Sequence, residues 1–218
     1  MIVMIDEISA ALQDGNMKAV EKLVEKALQD GISAKEILEK GLLSGMDVVA
    51  AKFKNDEIFV PEVLVAARAM SAGTALLAPH LAESGAKPIG TVLLGTVRGD
   101  LHDIGKNLVR MMFEGKGIKV IDLGIDVPPE RFLEAYKAER PDAIALSALL
   151  TTTMREMKNT IDIFTESGFR DDVIIMIGGA PVTDEFRKSI KADIYEEDAA
   201  SAAYSAKEAI LERRAHQR

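Results

Sequence analysis

The chain has no cysteine and no tryptophan among its 218 residues, and only three histidines. Without cysteine there are no disulfides, no thiolate zinc sites and no cysteine nucleophiles, and a cytoplasmic protein fits. Aromatic residues make up only 5% of the sequence, so its cores must be largely aliphatic. Positive charge is also short: 27 Lys and Arg stand against 35 Asp and Glu, a formal net charge of -8. A broad nucleic-acid surface needs clustered cations to neutralise phosphates, so no nucleic-acid partner is expected. The basic run from Arg213 to Arg218 reads as a solvated helix end that complements the helix dipole. The opening from Met1 to Glu7 lacks the basic region and apolar stretch of a signal peptide. No apolar run approaches the roughly 20 residues that span a bilayer, so no membrane role is expected.

What the chain does have is apolar content, 48% of residues, arranged in two rhythms. Residues 1–86 read as four amphipathic helices. The first precedes the Asp14-Gly15-Asn16 turn, and the second carries Val20, Val24 and Ala27 until Gly31. A capping box, Ser33-Ala34-Lys35-Glu36, starts the third, which runs through Ile37, Leu42, Met46 and Val49 to Phe53. Pro61 is placed as the first residue of the fourth. Four such helices make a helical-bundle domain. From Pro88 short β-branched runs alternate with helices: 89–94, 118–122, 143–147, 173–177 and a last one near 193–194. Near-continuous apolar strands between helices indicate a buried parallel sheet. Residues 87–218 are therefore expected to form a five-stranded, flavodoxin-like (Rossmann-like) α/β domain, with a boundary in Glu83–Pro88.

In a parallel sheet the loops that follow strands emerge on one edge, where such folds bind ligands. Three of these loops are chemically unusual. The first is Gly99-Asp100-Leu101-His102-Asp103-Ile104-Gly105, a histidine between acids, spaced by glycines. A histidine there reads as a metal ligand whose far N–H is held by a carboxylate. Asp100 and Asp103 both stand as that partner, and Asp100 is favoured because alternate residues of an extended loop project to one side. The second loop, Ser147-Ala148-Leu149-Leu150-Thr151-Thr152-Thr153, offers hydroxyls without charge. Its plainer reading is a set of helix caps. The third is Gly178-Gly179-Ala180-Pro181, whose paired glycines let backbone approach a ligand closely.

The order Asp100-x-His102-x-x-Gly105, Ser147-x-Leu149, Gly178-Gly179 resembles the cobalamin-binding domain family. That family includes methionine synthase, the corrinoid proteins of methyltransferase systems and certain adenosylcobalamin mutases. The segments 45–49, 59–63 and 66–70 resemble the helical cap of the methyl-transferring branch, so the likeness covers nearly the whole chain. It implies a corrinoid bound base-off, with His102 as the lower axial ligand of cobalt and the metal site. Asp100 would hold the ring's other N–H, and Thr153 stands where methionine synthase has a serine hydroxyl on that aspartate. His102, Asp100 and Thr153 are thus the candidate functional triad. Gly99, Asp103, Ile104, Gly105, Ser147, Leu149, Thr151, Gly178 and Gly179 match positions around the cofactor, with Ala180, Pro181, Tyr195, Asp198 and Ala199 weaker candidates on the same edge. Phe59 matches an aromatic shield of the upper face of cobalt, or is a core residue at a helix start. His80, after Pro79, reads as a helix-end histidine.

The function this resemblance implies is a corrinoid methyl carrier, a subunit of a methyltransferase system and not a complete enzyme alone. Its partners would be a substrate-specific methyltransferase, a methyl-acceptor methyltransferase using tetrahydrofolate or a thiol, and a reductive activator; a homodimer is compatible with the sequence. Two rivals share the loops. The small subunit of an adenosylcobalamin mutase normally lacks the helical cap. A cobalamin-dependent sensor usually carries a basic DNA-binding domain, and none is visible here.

Overall fold

The computed structural model describes residues 2–83 and 87–216 and divides into two compact units. One comprises residues 1–88 with 115–117, the other 89–114 with 118–218. Of the expected boundary segment, Ser84, Gly85 and Ala86 lie outside the described residues, as do Gln217 and Arg218 of the basic run.

The first unit is helical. Helices α1 (Ile2–Gln13) and α2 (Met17–Gln29) meet at the Asp14–Asn16 turn, and the Asn16 side chain caps α2 by accepting from the Ala19 N–H. The third helical run is continuous over 34–54. It comprises α3 (Ala34–Glu36), a π-helical stretch (Ile37–Leu43) and α4 (Ser44–Lys54). Only half of the expected capping box forms: the Ser33 hydroxyl accepts from the Glu36 N–H at 3.2 Å, while the Glu36 carboxylate pairs with Lys40. The π stretch was not legible, since it leaves the apolar spacing of Ile37 and Leu42 unchanged. Helix α5 (Val60–Glu83) starts one residue before Pro61.

The sequence expectation about long apolar runs needs one correction. Val60–Leu81 is a 22-residue helical stretch of mean hydropathy 1.3, long and apolar enough to cross a membrane by composition alone. Its buried side chains, Val63, Ala66, Ala69, Met70 and Leu77, belong to the bundle core with Ile8, Leu12, Val20, Ile37 and Leu42.

The second unit is a five-stranded parallel sheet of order β2-β1-β3-β4-β5, the flavodoxin-like order. Its strands are β1 (Gly90–Val97), β2 (Ile118–Val127), β3 (Ala143–Ser147), β4 (Ile174–Gly178) and β5 (Ile194–Tyr195). The crossover helices are α6 (Ile104–Gly115), α7 (Pro129–Glu139), α8 (Met154–Glu166) and α9 (Asp184–Ile190), with α10 (Ala199–His216) closing the unit. The central strands are apolar on both faces because both are covered: Leu93, Ile144 and Ile175 join Phe132, Met157 and Phe164 in a core cluster on one face, and Val92, Leu94, Ala145 and Met176 are buried on the other. Fully burying each such side chain contributes about 1.5–3 kcal/mol. Strand β2 runs five residues beyond its expected end, past a register shift opposite Leu94 and Gly95. The pairs Thr96↔Ser147 and Ser147↔Gly178 align the carboxyl ends of β1, β3 and β4. The three unusual loops therefore start from one row. Chain order reverses between β1 and β3, the place where ligands sit in this topology.

Candidate functional site

A four-residue turn launches the first loop from β1. The Asp100 N–H donates to the Val97 carbonyl at 3.1 Å, and Gly99 takes φ +78, the positive value that a type II turn requires at its third position. Asp126, at the far end of β2, stitches the turn from outside. Its carboxylate accepts from the Gly99 N–H at 2.6 Å, and its own N–H donates to the Asp100 carbonyl at 3.0 Å. The Thr96 hydroxyl donates to the His102 carbonyl at 2.9 Å. Both ends of the segment 99–102 are thus fixed before any ligand arrives.

Asp100 is fully buried, and its carboxylate sits at the centre of the site. Oδ1 lies 2.8 Å from His102 Nδ1 and accepts the His102 backbone N–H at 3.1 Å. Oδ2 accepts the Leu149 N–H at 2.7 Å, the Leu150 N–H at 3.3 Å and the Thr153 hydroxyl at 2.7 Å. Burial pushes this carboxyl up, but the Leu149 N–H, the Thr153 hydroxyl and the His102 donors outweigh it. They hold it well below the usual carboxylate range. An ionised Asp100 fixes the ring's proton on Nδ1. His102 Nε2, on a half-exposed side chain, is left as a lone-pair donor with no partner among the described residues.

Asp103 is not the histidine's partner. It is exposed, accepting instead from the Asn107 side chain at 3.1 Å, while its carbonyl takes the Asn107 backbone N–H at 2.7 Å in the first turn of α6. Thr153 is the N-terminal flank of α8, yet it makes no side-chain cap there, because its hydroxyl is turned to Asp100 and to the Leu150 carbonyl oxygen, 2.8 Å away. The cap reading of the hydroxyl loop therefore fails at this residue. Replacing Thr153 with valine keeps the shape and removes one donor to a buried charge. We expect a loss of about 1–3 kcal/mol in urea unfolding of the cofactor-free chain, with Thr153→Ser close to the parent.

The second and third loops are also joined. The Ala148 N–H donates to the Gly178 carbonyl at 3.2 Å, and Gly179 adopts φ +135, a conformation in which an added Cβ would run into the Ala148 carbonyl oxygen. Ser147 is half-buried, whereas Leu149, Thr151 and Ala180 are exposed. A Cβ at Gly105 or Gly178 would meet nothing within 4 Å, so both glycines border open space. Leu101 and Ile104 are 67% and 77% exposed, and with Leu149 and Leu150 they give this edge four exposed aliphatic side chains. Leu101 and Leu150 were not singled out from the sequence, although their position inside the two loops was a usable signal.

Of the weaker candidates, Asp198 caps α10 by accepting from the Ser201 N–H at 2.8 Å, and Pro181 and Tyr195 are partly buried. In the helical unit Phe59 is not a core residue: it is 64% exposed at the start of α5, where its N–H donates to Glu62. His80 is exposed near the end of the same helix, in keeping with a helix-end histidine.

Two B12 binding domain families match the chain, one over residues 90–204 and one over residues 4–78. The trimethylamine corrinoid protein of Methanosarcina barkeri is 42% identical over 202 residues, covering 92% of this chain and 93% of that one. The dimethylamine corrinoid protein of the same organism is 41% identical over 209 residues, covering 95% and 97%. Among solved structures, the methanol:cobalamin methyltransferase complex MtaBC from Methanosarcina barkeri superposes with a TM-score of 0.85 at 33% identity, covering 95% of this chain and 79% of the matched one. The site fits such a cofactor, with a lone-pair imidazole, open space beside two glycines and an aliphatic rim on one edge. The chain belongs to the B12-binding family of corrinoid proteins.

Proposed function

We propose that the chain is a corrinoid methyl carrier of a methylamine-type methyltransferase system. The bound corrinoid supplies the centre that accepts a methyl group from one methyltransferase and releases it to another. The observation that carries the reading is the hydrogen-bonded line Thr153–Asp100–His102, which ends in an Nε2 with no partner among the described residues. In it, His102 Nε2 would hold the cobalt, and a base-off corrinoid is the form that would leave that position to it. Ionised Asp100 fixes the tautomer and the orientation of the imidazole. Thr153 and the Leu149 and Leu150 N–H groups keep Asp100 ionised and immobile. Gly105, Ser147, Gly178 and Gly179 border the space for the displaced nucleotide tail, with Leu149 as an apolar wall; Gly99, Asp103, Ile104, Thr151 and Ala180 complete the cofactor surface. Residues 87–218 are the cofactor domain and residues 1–86 the helical cap domain, in which the exposed ring of Phe59 is the candidate to shield a bound cofactor.

The methylamine class rests on the relatives, several of which are trimethylamine and dimethylamine corrinoid proteins at about 40% identity. The partners are a methylamine methyltransferase, a methyl-acceptor methyltransferase and a reductive activator; a homodimer is compatible with this role. The test is reconstitution with cobalamin, reduction, and mixing with purified trimethylamine, dimethylamine, monomethylamine and methanol methyltransferases. Methyl uptake from at least one methylamine is expected. Uptake from methanol alone would move the donor class. Isomerase activity with a mutase large subunit and no uptake from any donor would sink the carrier reading.

A further inference from the structure

Helix α8 opens with Thr153-Met154-Arg155-Glu156, the sequence of a capping box, and neither half of that box is made. The Thr153 hydroxyl lies 2.7 Å from Asp100 Oδ2 and 2.8 Å from the Leu150 carbonyl oxygen, and the Thr153 N–H donates to the same carbonyl at 3.0 Å. The Glu156 N–H donates to the Thr153 carbonyl at 2.9 Å. Glu156 itself is 7% exposed, and only one of its carboxylate oxygens is bonded. Oε1 accepts from the Asn159 side chain at 3.1 Å and lies 3.5 Å from Arg155. Oε2 is buried with no hydrogen-bond partner among the described residues, and a buried acceptor left unpaired in this way calls for a reason.

The group facing Oε2 supplies one. Arg98 Nη1 lies 4.0 Å away, close enough for attraction and too far for a hydrogen bond. Its other terminus, Nη2, is held by Glu130 at 2.6 Å at the start of α7. Arg98 stands two residues before Asp100, and Glu156 stands three residues after Thr153. The Arg98–Glu156 attraction therefore spans the same two loops as the Thr153–Asp100 hydrogen bond.

We propose that Arg98 holds the Glu156 carboxylate out of a capping box with Thr153, and so keeps the Thr153 hydroxyl on Asp100. Two arrangements compete for one hydroxyl, because where it donates to Asp100 it makes no cap contact, and the side chain must turn to accept from the Glu156 N–H. In one, Thr153 donates to Asp100 and α8 goes uncapped. In the other, Thr153 accepts from the Glu156 N–H while the Glu156 carboxylate accepts from the Thr153 N–H. The second satisfies the helix at the expense of Asp100, and the Arg98 charge biases the balance to the first. Arg98 and Glu156 are thus positioning residues, acting on the axial ligand through Thr153 and Asp100. The cobalt readout rests on the reading of His102 as that ligand.

The test uses the full chain loaded with cobalamin. It measures the share of cobalt(II) with axial nitrogen hyperfine coupling in electron paramagnetic resonance, and the cobalt(II)/(I) midpoint potential. Arg98→Met should lower histidine ligation about tenfold and make the potential more positive, because ligation favours cobalt(II). Glu156→Gln keeps a side chain able to complete the box and loses the charge that Arg98 holds, so it should weaken ligation similarly. Glu156→Ala removes the competitor, and the double variant Arg98→Met/Glu156→Ala should return to within about twofold of the parent. A clamp that is merely structural gives the opposite pattern, with alanine at 156 no better than glutamine and the double variant no better than Arg98→Met. Either result overturns the proposal, as does unchanged ligation in Arg98→Met. Should a variant not take up cobalamin, ring 15N shifts of His102 in the cofactor-free chain decide the same comparison. His102→Ala separates the two levels: if it keeps the nitrogen coupling of the parent, the ligand reading fails. If it loses the coupling while Arg98→Met and Glu156→Gln do not, only the positioning proposal fails.

Discussion

Gly179→Ala will destabilise the α/β unit by about 4 kcal/mol or more, the range in which single substitutions become exceptional. The backbone at Gly179 has φ +135, where an L side chain is strained before any neighbour is considered. The added methyl would then collide with the carbonyl oxygen of Ala148, which is backbone and has no rotamer to change. Ala148 is itself fully buried and tied to Gly178, so relief requires moving the whole β3–α8 loop. That movement carries the Leu149 and Leu150 N–H groups off Asp100, so stability and histidine ligation should fall together. In a melting experiment on the cofactor-free chain the loss is expected as roughly 10 °C or more for a unit of this size. The neighbouring substitution is the control. At Gly178 a methyl meets nothing within 4 Å, so Gly178→Ala should change stability by no more than about 0.5 kcal/mol. It should still weaken cobalamin binding, because it fills space assigned to the nucleotide tail. Equal melting temperatures for Gly179→Ala and the parent would show that the close approach is not required, and full cobalamin affinity in Gly178→Ala would remove the slot from that side of the sheet.

The legible parts of this fold and site share a physical cause. Strands β3 and β4 were read to within a residue, because their apolar runs are bounded by residues that break strands, Pro141-Asp142 before β3, Asp171-Asp172 before β4 and Gly178-Gly179 at its end. The pairing of Asp100 with His102 was legible because an i, i+2 spacing in an extended loop puts both side chains on one side. Thr153 came only through the resemblance to methionine synthase, since nothing local distinguishes it from Thr151 or Thr152. The rest was hidden for definite reasons. The donors to Asp100 from Leu149 and Leu150 are backbone groups and carry no sequence signal. Asp126 acts through a left-handed backbone at φ 53 and a contact across 27 positions, neither of which local pattern reveals. The ion pair of buried Lys106 with half-buried Asp122, at 2.6 Å, sits where the apolar rhythm of β2 had seemed to end. Its presence explains how that strand continues past a charged residue.

Asp100→Asn should cost about 2–4 kcal/mol at neutral pH and weaken histidine ligation by roughly 10- to 100-fold. The carboxylate has five donors around it and no acceptor, so an amide nitrogen has no good place to go. Placed at the Oδ2 position, the amide meets the Leu149 and Leu150 N–H groups. Placed at the Oδ1 position, it meets the His102 backbone N–H. It also donates to Nδ1, which moves the ring proton to Nε2 and removes the lone pair a metal needs. The pH dependence follows from the depressed carboxyl. Because Asp100 titrates lower when folded than when unfolded, its contribution is fully present above the unfolded value near pH 4. It is lost as pH falls toward the folded value. The asparagine variant has no such titration. The stability gap between parent and variant should therefore be constant from about pH 5 to 8 and narrow below about pH 4. Urea unfolding of both cofactor-free chains at several pH values measures this directly. A gap that stays constant into strong acid, or widens there, would mean that Asp100 is held by shape alone and not as an ionised acceptor.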